Sequence, residues 1–147
     1  MRFQLALNVK DLDQAVEYYS KLFGVEVNKR KPGYANFAVE DPPLKLVLFE
    51  APDADDRLNH VGFEMDGEQV LSTIDRIEPA GLADRVIMDE TCCYAEKSTV
   101  YSFDPEGLMW EFYKLRGDSE TFGKPAPSPD SAEDKSDTGA CCAAPGA

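Results

Sequence analysis

The chain has 147 residues, enough for one domain with a proper core or for two small modules that share one. Its 28 acidic and 15 basic residues give a formal net charge of -13, which repels nucleic-acid phosphates and anionic lipid surfaces. The first residues contain no long apolar run, so we expect neither a signal peptide nor a transmembrane helix, and we predict a cytoplasmic protein that binds small molecules.

The first half of the chain predicts a strand, a helix and three further strands. Residues 3–9 alternate with period two and place Gln4 on the less apolar face. Asp11 and Gln14 form a predicted capping box at the start of a helix that Gly24 ends. Strand candidates follow at about residues 26–30, 34–39 and 44–50, separated by Pro and Gly.

The second half repeats this order. A strand at residues 58–64 carries His60, the single histidine of the chain. Asp66 and Gln69 repeat the capping box, and the Pro-Ala-Gly run at 79–81 ends the predicted helix. Four strand candidates follow, one of them predicted to be a short extension, at about residues 85–88, 92–96, 99–103 and 108–115.

The two repeats, at about residues 1–50 and 57–116, predict an α+β fold. Most successive strands are joined by turns too short for a parallel crossover, so a doubly wound parallel sheet is excluded. We expect two half-open antiparallel sheets, each with its helix outside. The more polar face of each sheet then lines the space between the sheets.

Three residues on the predicted polar faces can bind a metal ion: Gln4, His60 and Glu111. Taken alone, a strand histidine is more often a hydrogen-bonded structural residue than a ligand. Glu111 is the stronger candidate, because a carboxylate flanked by Trp110 and Phe112 is costly to bury without a partner.

Four cysteines form two adjacent pairs, Cys92-Cys93 and Cys141-Cys142. Neighbouring cysteines close a disulfide only with strained geometry, so free thiols are favoured in a reducing compartment. The default interpretation of such a pair is a small buried hydrophobe beside an exposed thiol. Pro, Ser, Asp, Ala and Gly dominate from about Lys124, so we predict an acidic disordered tail at residues 117–147 that carries the second pair.

Several stretches resemble a known family. The duplicated unit, His60 in its second copy and the closing run at residues 104–113 resemble the vicinal oxygen chelate superfamily of glyoxalases, extradiol dioxygenases and fosfomycin-resistance proteins, over about residues 1–116. Within that superfamily the sequence is most similar to the arsenic-resistance carbon-arsenic lyases and their cadmium-induced relatives. The matching stretches are residues 4–9, 18–23, 31–38, 42–48, 58–62 and 91–95.

The resemblance implies a mononuclear Fe(II) ion held by Gln4, His60 and Glu111, with dioxygen as co-substrate. Many superfamily members carry His at the first position, and an amide oxygen is a weaker, harder ligand than imidazole. Glyoxalase-type sites add a carboxylate from the fourth strand. Here Lys45 lies on the relevant face and Glu50 has the opposite parity, so we expect three protein ligands and open coordination positions.

The resemblance also implies that Cys92 and Cys93 bind trivalent arsenic through two thiolates, and that dioxygen cleaves methylarsonite to arsenite and formaldehyde. Aromatic trivalent arsenicals are further expected substrates. Two alternatives stay open: an inducible protein that sequesters soft metals without catalysis, and a glyoxalase-type isomerase. Cys141 and Cys142 are either a remnant or an accessory arsenic-binding tether. The protein is expected to be a monomer or a homodimer, with its halves paired within one chain or swapped between subunits.

Overall fold

The computed structural model of the protein describes residues 1–92, 94–120 and 123. These residues form eight strands and two helices, which confirms the predicted α+β class. The chain divides into two compact units after Val61. The predicted tail lies almost entirely outside the described residues, so its disorder stays a prediction. No helix in the described part of the chain is both long and apolar enough to cross a membrane.

The order strand-helix-strand-strand-strand occurs twice, as the sequence predicts. The first copy comprises β1 (Arg2–Val9), α1 (Leu12–Phe23), β2 (Lys29–Lys31), β3 (Tyr34–Val39) and β4 (Leu44–Glu50). The second comprises β5 (Leu58–Glu64), α2 (Gly67–Ile77), β6 (Arg85–Cys92), β7 (Ala95–Phe103) and β8 (Met109–Asp118). Strand β5 begins in the first unit and ends in the second.

Helix α1 begins and ends where its capping residues predict, but the predicted capping box is only half formed, because the Gln14 side chain donates to the Asp11 carboxylate at 3.1 Å instead of bonding the Asp11 backbone. The Asp11 carboxylate accepts a hydrogen bond from the Gln14 backbone N–H at 2.9 Å, and Gly24 ends the helix with a φ of 65°. The apolar stripe of α1 packs on β3 and β4, in a buried cluster that includes Val16, Phe37 and Leu48. One face of the first-unit sheet is therefore covered by helix α1.

The strands of the first unit hydrogen-bond in the order β2-β3-β4-β1-β5. Strand β3 is antiparallel to both β2 and β4, but β1 pairs with β4 in parallel, with Gln4 opposite Lys45. The prediction of a purely antiparallel sheet is therefore wrong for this pair. Helix α1 acts as a crossover that lets β2 run in the same direction as β1, and two tight returns then bring β4 into that direction as well.

In the second unit, the last part of β5 is followed in the sheet by β8, β7 and β6. Strands β6 and β7 are antiparallel, as are β7 and β8. Helix α2 begins with the complete capping box that the sequence predicts, since Asp66 and Gln69 each bond the backbone of the other. Its buried residues are Val70, Thr73 and Ile77.

Three strands follow α2, not the four sequence candidates. The predicted strand at residues 92–96 is divided between the end of β6 and the start of β7. The division coincides with Tyr94, whose φ of 59° is a left-handed conformation outside the range of extended strand backbone. A local reversal of the backbone therefore interrupts what the sequence pattern presents as one extended segment.

Gly62 allows a close approach of two backbones in the second unit. A Cβ atom at this position would lie 2.2 Å from the backbone oxygen of Glu111. We therefore expect Gly62→Ala to lower the free energy of unfolding by about 1–3 kcal/mol or more, because a backbone atom cannot move aside as a side chain can. Chemical denaturation measures the change.

Gly67→Ala is the matched control for that substitution. Its added Cβ would meet only the end of the flexible Lys114 side chain, at 3.3 Å, and alanine favours the helix that begins at residue 67. We expect stability equal to or above that of the parent. Equal free energies of unfolding for Gly62→Ala and Gly67→Ala would contradict this expectation, because they would show that the β5 backbone can shift to accommodate the added Cβ atom without losing stability.

Candidate metal site

Gln4 lies on the face of the first-unit sheet that does not contact α1. Its cross-strand partner is Lys45, and the next partners along this face are Ala6 with Val47 and Asn8 with Phe49. Leu5 and Leu7, of opposite parity, pack against the cluster under the helix. The alternation seen in the sequence thus separates a helix-packing face from a more polar one, and Gln4 is on the polar one.

Gln4 and His60 are in direct contact inside the first unit. The Gln4 side chain is 4% exposed and His60 is 0% exposed, and their Nε2 atoms lie 2.9 Å apart. The other ring nitrogen of His60, Nδ1, lies 2.7 Å from the Asn59 side-chain oxygen. The Phe49 ring lies beside the imidazole, with 6.3 Å between ring centroids. The structure therefore brings together two of the three predicted ligands, away from water.

Glu111 lies in the second unit and is completely buried, at 0% exposure. Its carboxylate forms an ion pair with the buried Lys97 ammonium, and the Tyr101 hydroxyl lies 3.5 Å from the same carboxylate oxygen. The Lys97 Nζ also lies 5.0 Å from the centroid of the Tyr113 ring. Lys97 thus provides the positively charged partner that a buried carboxylate at position 111 was expected to need.

Sequence reasoning missed Lys97. A usable signal was present, because Lys97, Thr99 and Tyr101 alternate along β7 and would share one face. The register then pairs Thr99 with Tyr113 and Tyr101 with Glu111, which places these side chains on the Glu111 face. Without the register between β7 and β8, the alternation could not be connected to Glu111.

Thr99 adds a second polar feature to that face. Its side chain is 0% exposed, and its hydroxyl oxygen has no hydrogen-bond partner among the residues that the structure describes. Buried hydroxyl groups are satisfied in most proteins, so an orphaned one marks a place where a ligand or water belongs. The Glu111 face of the second unit is therefore polar, buried and incompletely satisfied.

The fourth strand provides no carboxylate beside Gln4. Lys45, Val47 and Phe49 of β4 occupy the Gln4 face, as the sequence predicts. Glu50 has the opposite parity, and its carboxylate accepts a hydrogen bond from the Leu12 backbone N–H at 2.9 Å, at the first turn of α1. Glu50 thus satisfies an open donor at a helix N-terminus, a structural role.

One of the four cysteines, Cys92, lies among the described residues. Cys92 is the last residue of β6, whereas Cys93, Cys141 and Cys142 lie outside the described residues. The predicted arsenic-binding role of Cys92 and Cys93 therefore stays a prediction.

The donor chemistry of the three predicted ligands suits a divalent first-row metal. An imidazole nitrogen and an amide oxygen are available in the first unit, and a carboxylate in the second. One neutral nitrogen ligand with two oxygen ligands is a set that Fe(II), Mn(II) and similar ions accept. Within the described residues no group of three or more His, Cys, Asp or Glu side chains lies close enough together to hold a metal ion.

A family model described as "Glyoxalase/Bleomycin resistance protein/Dioxygenase superfamily" matches residues 3–112. The chain belongs to this superfamily. A likeness in fold agrees with it: a solved structure of a glyoxalase/bleomycin resistance protein/dioxygenase superfamily member from Vibrio splendidus 12B01 has a TM-score of 0.51 at 14% identity, and the match covers 78% of this chain and 97% of that one.

Relatives in the glyoxalase/bleomycin resistance protein/dioxygenase superfamily include two kinds of protein. The "Cadmium-induced protein CadI" of Mycobacterium tuberculosis is 50% identical over 123 residues, which cover 83% of this chain and 81% of the relative. A "Trivalent organoarsenical cleaving enzyme" of Thermomonospora curvata is 45% identical over 143 residues, which cover 96% of this chain and 87% of the relative. The predicted resemblance to both groups is confirmed.

Proposed function

We propose that the protein is a cytoplasmic, Fe(II)-dependent dioxygenase that cleaves the carbon-arsenic bond of trivalent organoarsenicals such as methylarsonite. The observation that carries this proposal is the 45% identity, across 96% of the chain, to a relative named for the cleavage of trivalent organoarsenicals. The buried contact of Gln4 with His60 supports it, because it supplies two donor side chains in a site shielded from water.

In this proposal Gln4, His60 and Glu111 are the protein ligands of Fe(II). When bound, the metal supplies the activation of dioxygen. His60 offers a ring nitrogen. Gln4 offers its amide oxygen, once its side chain has rotated and its NH2 group no longer contacts the imidazole. Glu111 offers a carboxylate, and Lys97 balances the charge of that carboxylate in the metal-free protein. With three protein ligands, coordination positions stay open for small molecules.

Cys92 and Cys93 hold the arsenic atom of the substrate in this proposal. Trivalent arsenic is soft and thiophilic, and a monomethyl arsenical offers two positions that thiolates can occupy. Two bonds to adjacent residues fix the direction of the remaining arsenic-carbon bond. The methyl group is thereby held in one orientation, whereas a freely colliding substrate would have to reach that orientation by chance, and this difference raises the rate.

The proposed reaction balances without an added reductant. Methylarsonous acid and one molecule of dioxygen contain the same atoms as arsenous acid and formaldehyde. The methyl carbon is oxidised to the level of formaldehyde, dioxygen is reduced, and arsenic stays trivalent. The carbon-arsenic bond, one methyl carbon-hydrogen bond and the dioxygen bond break, while the carbonyl bond of formaldehyde, one arsenic-oxygen bond and one oxygen-hydrogen bond form. Capture of the arsenic atom by two thiols releases two molecules of water, and release of arsenous acid takes up two, so no other substrate is required.

A second function is favoured by a specific observation. The 50% identity to a protein named for induction by cadmium supports sequestration of soft metals by the cysteine pairs, without catalysis. A glyoxalase-type isomerase is less well supported, because Lys45 and its neighbours leave the fourth strand without a carboxylate on the Gln4 face.

Arsenic speciation distinguishes these functions. The protein is loaded with Fe(II) without oxygen, methylarsonite is added, and oxygen is then admitted. We expect arsenite and formaldehyde in equal amounts, with neither formed when Fe(II) or oxygen is omitted. Methylarsonite that stays intact but bound to protein thiols would instead establish sequestration.

A further inference from the structure

Two asparagine side chains connect His60 to a backbone carbonyl through hydrogen bonds within the first unit. The backbone carbonyl of Asp56 accepts from Asn8 Nδ2 at 2.9 Å. Asn8 Oδ1 accepts from Asn59 Nδ2 at 3.0 Å, and Asn59 Oδ1 lies 2.7 Å from His60 Nδ1. We call the Asp56 carbonyl, Asn8 and Asn59 the amide relay.

The backbone carbonyl sets the direction of every hydrogen bond in the amide relay, because it can only accept. The Asn8 group that faces Asp56 must therefore be the NH2, which leaves the Asn8 oxygen facing Asn59. That oxygen needs a donor, so Asn59 presents its own NH2 to Asn8 and its oxygen to His60. The hydrogen between Asn59 and His60 must then be carried by Nδ1.

This direction determines which nitrogen of His60 can bind a metal. In a neutral imidazole with hydrogen on Nδ1, the lone pair is on Nε2. Gln4 Nε2 lies 2.9 Å from that atom and donates to it. The nitrogen beside the first predicted ligand is thus the nitrogen with the metal-binding lone pair.

We propose that Asn59 and Asn8 are positioning residues that hold His60 as the Nδ1–H tautomer, so that Nε2 is the nitrogen presented to a metal ion. The inference deepens the proposed function and rests on it for the metal, whereas the tautomer is a property of the metal-free protein. A metal-binding histidine commonly donates its second N–H to an oxygen, which fixes the ring and raises its basicity.

Asn8 is needed because a single amide side chain can rotate and exchange the positions of its oxygen and its NH2 group. A rotated Asn59 would present NH2 to Nδ1 and favour the opposite tautomer. Asn8 opposes the rotation, because its own amide is oriented by the Asp56 carbonyl, which accepts from Asn8 Nδ2 at 2.9 Å. The Asn8 backbone is held as well: its N–H donates to the Arg57 carbonyl at 2.7 Å, and its carbonyl accepts from the Arg57 side-chain Nε at 2.9 Å. The Asp56 backbone carbonyl therefore fixes the orientation of the Asn8 amide, and Asn8 fixes the orientation of the Asn59 amide.

Nitrogen NMR tests the proposal directly, since a tag-free protein with one histidine gives the signals of one imidazole. In the metal-free parent at a pH where the ring is neutral, we expect a protonated-type shift at Nδ1 and an unprotonated-type shift at Nε2. Asn59→Ala should move the ring toward the Nε2–H tautomer. Its Fe(II) affinity, measured without oxygen against a chromophoric chelator, should fall about 10- to 100-fold.

Asn59→Asp is the conservative variant, and it should keep the parent tautomer because a carboxylate accepts from Nδ1–H. Asn28→Ala is the matched control. Asn28 donates to the Asn36 side-chain oxygen at 2.8 Å, an amide pair in the same unit that does not include His60, so tautomer and affinity should be those of the parent.

An Nε2–H tautomer in the parent, or the parent tautomer in Asn59→Ala, would overturn the amide relay. A tautomer shift in Asn59→Ala with unchanged Fe(II) affinity would overturn its role in metal binding. If the parent shows the expected tautomer but binds no Fe(II), the proposed function fails while the assignment of the tautomer stands.

Discussion

Replacing His60 with Ala is expected to abolish stoichiometric Fe(II) binding. The substitution removes the single imidazole of the chain, the strongest neutral donor of the proposed ligand set. Glu111→Gln should have a similar effect, because it replaces an anionic ligand with a neutral one. Gln4→Ala should weaken binding less, since an amide oxygen is the weakest of the three donors. Iron content after anaerobic loading and desalting measures each effect.

Glutamine is preferred to alanine at position 111 for a structural reason. Both substitutions remove the carboxylate that pairs with the buried Lys97 ammonium, and breaking such a pair costs up to about 3–5 kcal/mol. The glutamine amide oxygen can still accept a hydrogen bond from Lys97, whereas alanine provides no acceptor, so the glutamine variant keeps more of the parent stability. Asn36→Ala is the control for His60→Ala, because Asn36 is a buried polar residue that bonds the Tyr34 hydroxyl at 2.8 Å. It should keep its iron. Parent-level iron in folded His60→Ala or Glu111→Gln protein would remove that residue from the ligand set.

Local signals were sufficient to predict most elements of the fold. Capping residues such as Asp66 act within a few residues of themselves, so both helices begin where the sequence predicts. Strands β3 and β4 were predicted with their observed bounds, because Pro and Gly delimit them. Strand direction is different, since it depends on pairing between distant segments, and the parallel pairing of β1 with β4 was missed for that reason.

The same distinction applies to the candidate site. Parity along a strand was enough to place Gln4 on the polar face, because side chains alternate whatever the register. The partner of Glu111 required the register between β7 and β8, which no local pattern reports. The amide relay depends on hydrogen bonds between residues about fifty positions apart, such as Asn8 and Asn59 at 3.0 Å, and sequence spacing cannot reveal those.

Serine at Cys92 or Cys93 is expected to abolish cleavage of methylarsonite without changing iron content. Serine keeps the approximate size of the side chain but removes the soft thiolate, so arsenic can no longer be held by two bonds. A single remaining thiolate leaves the methyl group free to turn about the arsenic-sulfur bond, and the orientation that favours reaction is lost. Formaldehyde release per bound iron, at saturating methylarsonite, is the measurement.

The second cysteine pair provides the matched control. Serine at Cys141 or Cys142 makes the same chemical change outside the proposed site, and a tether in a tail would act mainly on capture at low substrate concentration. Turnover at saturating methylarsonite should therefore equal that of the parent. If Cys92→Ser or Cys93→Ser also turns over like the parent, two-thiolate binding at this pair is wrong. A third outcome is that neither the parent nor any variant releases formaldehyde, while the parent binds arsenic and Cys92→Ser does not. The pair would then sequester arsenic, and the protein would not be a lyase.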